Sequence, residues 1–114
     1  MIIDFPSQEF QSIANFKGGE GHVEAKMYND DAVRICVSRL EPGNTTGYHK
    51  HERNSEIVYL ISGKVLAKYD DGEECLEPGQ CHYCPMGHSH GFSNASETET
   101  AVMVCVVPEH YLGE

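Results

Sequence analysis

The sequence predicts an all-β domain, an antiparallel sandwich or barrel. Three observations carry this. No long run repeats its apolar residues at helical spacing. Short runs rich in Val, Ile and Tyr recur along the chain. Turn residues punctuate them, drawn from eleven Gly, five Pro and several Asp and Asn. The 114 residues suit one domain, and that length can bury a core without disulfides.

Residues 1–21 read as a leader or arm that packs on the body or on a partner chain, and residues 22–114 as the domain. Phe5, Phe10 and Ile13 are the leader's packing groups, and its conformation stays open. Residues 17–21 (Lys-Gly-Gly-Glu-Gly) form a loop. Residues 23–28 and 33–40 are strands joined by a turn at Asn29-Asp30-Asp31. Pro42 and Gly43 mark a loop, and 48–51 is a short extended piece. Residues 56–62 form a strand that Gly63 ends. Residues 65–69 follow, and Asp70-Asp71-Gly72 is a hairpin signal. After Pro78-Gly79, residues 81–84 are extended up to Pro85-Met86-Gly87. Residues 90–94 and 101–107 are the last strands.

Two strands are apolar on both faces. Val58 and Leu60 share a face with Glu56, while Ile57, Tyr59 and Ile61 point the other way. Val102, Val104 and Val106 oppose Met103, Cys105 and Val107. A strand buried on one face alternates with polar residues. Two-sided apolarity therefore points to a homodimer through a sheet face, or to cover by the leader.

The net charge of −10 opposes nucleic acid and anionic membranes as partners. No basic and apolar leader marks a signal peptide, and no apolar run approaches the roughly 18 residues of a membrane span. Five cysteines are an odd number, best read as reduced thiols in a cytoplasm.

His49 and His51 are two apart on an extended segment, so both point to one face, about 6–7 Å apart along the strand. Two imidazoles so placed can converge on one metal ion. Glu56 opens the next strand and can add an oxygen. His90 lies far along the chain, and a barrel would bring its strand alongside. Each piece alone is a weak signal, since such residues are ordinarily solvated. The joint spacing is the strong one.

That spacing resembles the cupin superfamily. The first cupin motif is Gly, five residues, His-x-His, three or four residues, Glu, six residues, Gly. Here it reads Gly43, His49-Lys50-His51, Glu56 and Gly63 with every interval fitting. The second is Gly, five residues, Pro-x-Gly, two residues, His, three residues, Asn. Here it reads Gly79, Pro85-Met86-Gly87, His90 and Asn94, again in register. The intervening residues 64–78 are few, as in small microbial cupins. The resemblance implies a double-stranded β-helix, or jelly-roll, with a six-strand core and the metal inside. It carries the ligand role onto His49, His51, Glu56 and His90. It gives Gly43, Gly63, Gly79 and Gly87 structural roles at turns, and Asn94 the role of a turn cap.

Three imidazoles and a carboxylate suit one divalent transition metal per chain, Mn, Fe, Ni, Co or Zn. An octahedral ion so held keeps two positions for ligands. The expected function is an enzyme on a small oxygen-rich molecule bound at the metal, with dioxygenase, isomerase or lyase chemistry. Related small cupins perform all of these, so the fold leaves the reaction open. The alternative is a non-catalytic metal or small-ligand binding module. Glu56 and His88 are the candidates for proton transfer. His88 otherwise reads as a solvated loop residue, and His22, His82 and His110 as surface residues. Cys81 and Cys84 read as small core residues. Tyr59 faces outward by parity. Arg34 and Arg39 read as surface charge, able to hold an anion if turned inward.

Overall fold

The computed structural model describes residues 1–111, and among them ten strands form two sheets. The strands are β1 (Gln11–Ala14), β2 (His22–Asn29), β3 (Val33–Leu40), β4 (His49–Lys50), β5 (Glu56–Ser62), β6 (Val65–Tyr69), β7 (Gly72–Leu76), β8 (Cys81–Cys84), β9 (Ser89–Asn94) and β10 (Ala101–Pro108). The larger sheet has the order β1-β2-β3-β10-β5-β8, and the smaller β4-β9-β6-β7. All described pairings are antiparallel. This is the jelly-roll expected from the sequence. Its barrel is formed by two facing sheets, without a continuous ring of hydrogen bonds.

The alternation of side chains sets what lies between the sheets. Leu40, Val58, Leu60, Val65, Ala67 and Ala101 are fully buried there. Removing a Leu or Val side chain from water contributes about 1.5–3 kcal/mol. Ile57, Tyr59 and Ile61 point outward as their parity requires, and Tyr59 is 46% exposed. The leader adds β1 to the edge of the larger sheet, with Ile13 opposite Val23. Phe16 packs against the core. Phe10 lies under two cations instead, with the Arg39 guanidinium 3.7 Å and the Lys26 ammonium 4.6 Å from its ring centre.

The expected hairpin joins β6 and β7, with Tyr69 opposite Gly72 and Asp70 at φ 49° in the turn. Gly63 has φ 89°, and a Cβ there would lie 2.7 Å from the Ala101 Cα. Only glycine meets both demands. Gly87, at φ 92°, turns the chain from β8 into β9 and so sets where His90 lands. Asn94 is the expected turn cap: its Nδ2 donates to the Leu40 and Glu99 carbonyls, each at 2.8 Å, and its Oδ1 accepts from Ser96 N at 2.7 Å.

Candidate metal centre and ligand cavity

Strand pairing assembles the site. His49 on β4 is the direct partner of His90 on β9. His51 follows β4 on the same face, and its backbone N–H donates to the His88 carbonyl at 3.0 Å. Glu56 heads β5 in the opposite sheet. One ligand atom from each of His49, His51, Glu56 and His90 lies within 4.8 Å of the others. The convergence is on the imidazole Nε2 atoms. His49 Nε2 is 3.2 Å from His51 Nε2, which is 2.9 Å from His90 Nε2. Glu56 Oε1 is 2.8 Å from His90 Nε2 and 3.2 Å from His51 Nε2. His90 is completely buried.

The outward ring nitrogens decide what the cluster can hold. His49 Nδ1 lies 2.9 Å from the Gly47 carbonyl, which can only accept. His51 Nδ1 faces Asn54 Oδ1 at 2.5 Å, while Asn54 Nδ2 donates to Glu109 at 3.2 Å. Both rings therefore carry their proton on Nδ1 and point Nε2 lone pairs at each other. Facing lone pairs and a carboxylate need a cation between them. Ligand atoms at right angles on an ion with bonds of about 2.1 Å lie about 3.0 Å apart, the spacing found here. The donor set thus fits a transition metal.

Without a cation, a facing Nε2 atom must carry a proton: burial opposes this at His51, but Glu56 and Asn54 raise that ring overall above the ordinary imidazole value. Burial alone would raise the Glu56 carboxyl, but the His51 and His90 rings beside it, when protonated on Nε2, overcome burial and hold the group at about 2. Burial pushes His49 down from the ordinary imidazole value, so its ring favours the neutral, ligating form.

The structure brings together all four residues named as ligands. His88 lies apart from them: its ring stacks on Tyr69 and pairs with Asp70 Oδ2 at 2.5 Å, at the surface. His82 corrects the sequence reading. It is 4% exposed, not a surface residue. Its Nε2 is 3.0 Å from His90 Nδ1, and its Nδ1 is 3.0 Å from Glu74 Oε1. A chain Glu74–His82–His90 thus reaches from solvent to the cluster, and carboxylate-to-histidine chains of this kind fix the orientation of metal-binding rings. The available signal was parity, because His82 and Cys84 share the face opposite Tyr83. Cys81 is a further correction, exposed and not in the core because it shares the outward face of β8 with Tyr83, whereas Cys84 is buried as expected.

Arg34 is a second correction. It shares the inner face of β3 with Cys36 and Ser38. It lines a cavity of about 40 Å³ beside His49 and Glu56, walled by apolar groups including Phe16, Phe92 and Met103. That volume holds about three waters. A polar cleft of about 240 Å³ reaches His49 and His51 from outside, and Arg34 borders it as well. Arg34 is the single cation among the residues lining the inner cavity.

A model of the cupin domain matches residues 36–107, which include both motifs and the whole cluster. The chain belongs to the cupin family. This cupin is 28% identical to an oxalate-binding protein of Thermotoga maritima over 104 residues, 85% of each chain. It is 32% identical over 73 residues to the β-alanine degradation protein BauB of Pseudomonas aeruginosa, covering 60% of this chain and 77% of the relative. A solved structure described as a predicted oxalate decarboxylase from Thermotoga maritima superposes with a TM-score of 0.88 at 23% identity, over 96% of this chain and 99% of that one. The likeness in structure speaks for the fold alone.

Proposed function

We propose that this cupin holds one divalent transition metal on His49, His51, Glu56 and His90 and uses it to bind and turn over a small oxygen-rich acid of the oxalate class. The observation that carries the reading is the convergence of three Nε2 atoms and one carboxylate at the end of a cavity whose single cation is Arg34. When bound, the metal supplies Lewis-acid polarisation of the acid's oxygens. Arg34 pairs with a carboxylate, which a guanidinium can grip with two parallel N–H donors. The apolar wall limits water and strengthens that pairing. A two- to four-carbon acid exceeds this cavity of about 40 Å³ and extends into the polar cleft of about 240 Å³ that also reaches His49 and Arg34. The kinship with an oxalate-binding protein supports the same ligand class. Among the described residues, Glu56 is the only carboxylate lining the cavity. Protons exchanged with the ligand therefore pass to Glu56 or to a cavity thiol.

A second reading, binding without turnover, is favoured by the same scarcity of acid and base groups. Both are tested by titrating metal-loaded protein with oxalate, acetate and malonate by calorimetry while following product formation. Oxalate is expected to bind most tightly, and Arg34→Met to weaken it about 10- to 100-fold, since a hydrogen bond to a charged group is worth about 1.5–3 kcal/mol. Equal affinity for Arg34→Met and the parent would sink the anion assignment. Binding without product across the panel would select the second reading.

We propose further that two copies associate through the outer face of the larger sheet. Val37, Val104 and Tyr59 form one cross-strand row there, and Ile35, Val106, Ile57 and Tyr83 the next. A chain of charge −10 repels its copy least through these uncharged rows, which lie beyond the charged edge formed by Glu24, Lys26 and Arg39. Light scattering should give twice the chain mass, and Ile57→Asp should give one chain mass. A parent protein that runs as a monomer would reject the dimer.

A further inference from the structure

Two thiols of the ligand cavity have no part in holding the metal. Cys36 on β3 and Cys105 on β10 are direct cross-strand partners, and both line the cavity. Directly opposite residues of an antiparallel pair have Cα atoms about 4.5 or 5.5 Å apart. Either spacing falls in the range of about 4.4–6.8 Å that disulfides span. Ser38 Oγ lies 3.6 Å from Cys105 Sγ. Arg34 sits two residues before Cys36 on the same face.

The pair is electrically unequal. The Cys105 thiol opposite draws the Cys36 thiol below its ordinary value against the effect of burial, with help from Arg34. The Cys36 sulfur opposite, together with burial, raises Cys105. Cys36 is thus the nucleophile and Cys105 the protonated neighbour that can resolve its oxidised form. The remaining cysteines lack this arrangement. Cys75 and Cys81 are exposed, and burial pushes Cys84 up to about 11.

We propose that Cys36 and Cys105 form a modification site at which a small hydroperoxide, entering the ligand cavity, is reduced while the pair becomes an intramolecular disulfide. With hydrogen peroxide, the Cys36 sulfur attacks one oxygen. The S–O bond forms, the O–O bond breaks, and the leaving hydroxide takes the Cys36 proton as water. The Cys105 sulfur then attacks Cys36. The S–S bond forms, the S–O bond breaks, and the second hydroxide takes the Cys105 proton. Two thiols and one peroxide give one disulfide and two waters. The small cavity selects peroxide over bulkier oxidants such as peptide disulfides. The bond joins strands already paired to each other, so the sheet keeps its register. No cysteine belongs to the four-residue cluster, so the proposal stands apart from the metal reading.

The test is stoichiometric hydrogen peroxide on purified protein, with and without chelator, followed by thiol alkylation and peptide mapping. A cross-linked peptide pair containing Cys36 and Cys105 is expected in both conditions, and a dithiol reductant should reverse it. Cys105→Ser should instead stop at a Cys36 sulfenic acid that dimedone captures. Oxidation confined to Cys75 and Cys81, or a Cys36 that stays reduced, would overturn the proposal. So would a cross-link that forms only without chelator, since adventitious or bound metal would then be the oxidising agent.

Discussion

His90→Ala is expected to abolish metal binding, taking the content from the proposed one ion per chain to none by elemental analysis of protein purified without metal-affinity resin. His90 is fully buried and touches both His51 and Glu56 in the cluster. Its loss removes one Nε2 atom from the cluster and leaves Glu56 Oε1 without its 2.8 Å partner. His88 does not replace it, because its ring is paired with Asp70 at the surface. His88→Ala is therefore expected to keep the metal. Between these extremes lies His82→Ala, which keeps all four ligands but takes away the partner of His90 Nδ1. Loss of such an orienting partner costs about 10- to 100-fold in metal affinity. Three results are thus ordered: none, weakened and unchanged. A His90→Ala protein that retains stoichiometric metal would end the assignment, and a His82→Ala protein of parent affinity would end the orienting role.

The order also shows which parts of the molecule the sequence exposes. The two motifs fix four ligands because a strand pairing, His49 opposite His90, turns distant residues into neighbours. Their spacing carries that information directly. His82 carries none of its own. Its burial follows from Val58 being its partner on β5, and so from a register that composition does not reveal. Arg34 has the same history. Charge alone reads as surface, and only its alternation with Cys36 and Ser38 on β3 turns it inward. The edge strand β1 was hidden for another reason. Its four residues, Gln11–Ala14, alternate too weakly to mark a strand, and their pairing with β2 supplies what propensity does not.

Gly47→Ala should cost far more stability than its position in a loop suggests. A Cβ at Gly47 would lie 1.6 Å from the Lys17 carbonyl oxygen, a backbone atom that no rotamer change can move. The contact is built into the site. Gly47 N–H donates to the Phe16 carbonyl at 2.9 Å, and the Gly47 carbonyl accepts from His49 Nδ1 at 2.9 Å. Relief must push the Phe16–Gly18 turn outward, and with it the Phe16 ring that packs on the core and walls the cavity. Overpacking costs about 1–3 kcal/mol where side chains can adjust. With backbone against backbone the expected loss is about 3 kcal/mol or more, a fall in Tm of about 10–20 °C for a domain of this size. Gly43→Ala is the control. Gly43 has φ 84° with nothing within 4 Å of an added Cβ, so it pays only the left-handed strain of about 1–2 kcal/mol. Urea unfolding of both variants in chelator separates crowding from strain. A Gly47→Ala protein as stable as Gly43→Ala would mean that the Phe16–Gly18 turn does not pack against the strand that carries His49.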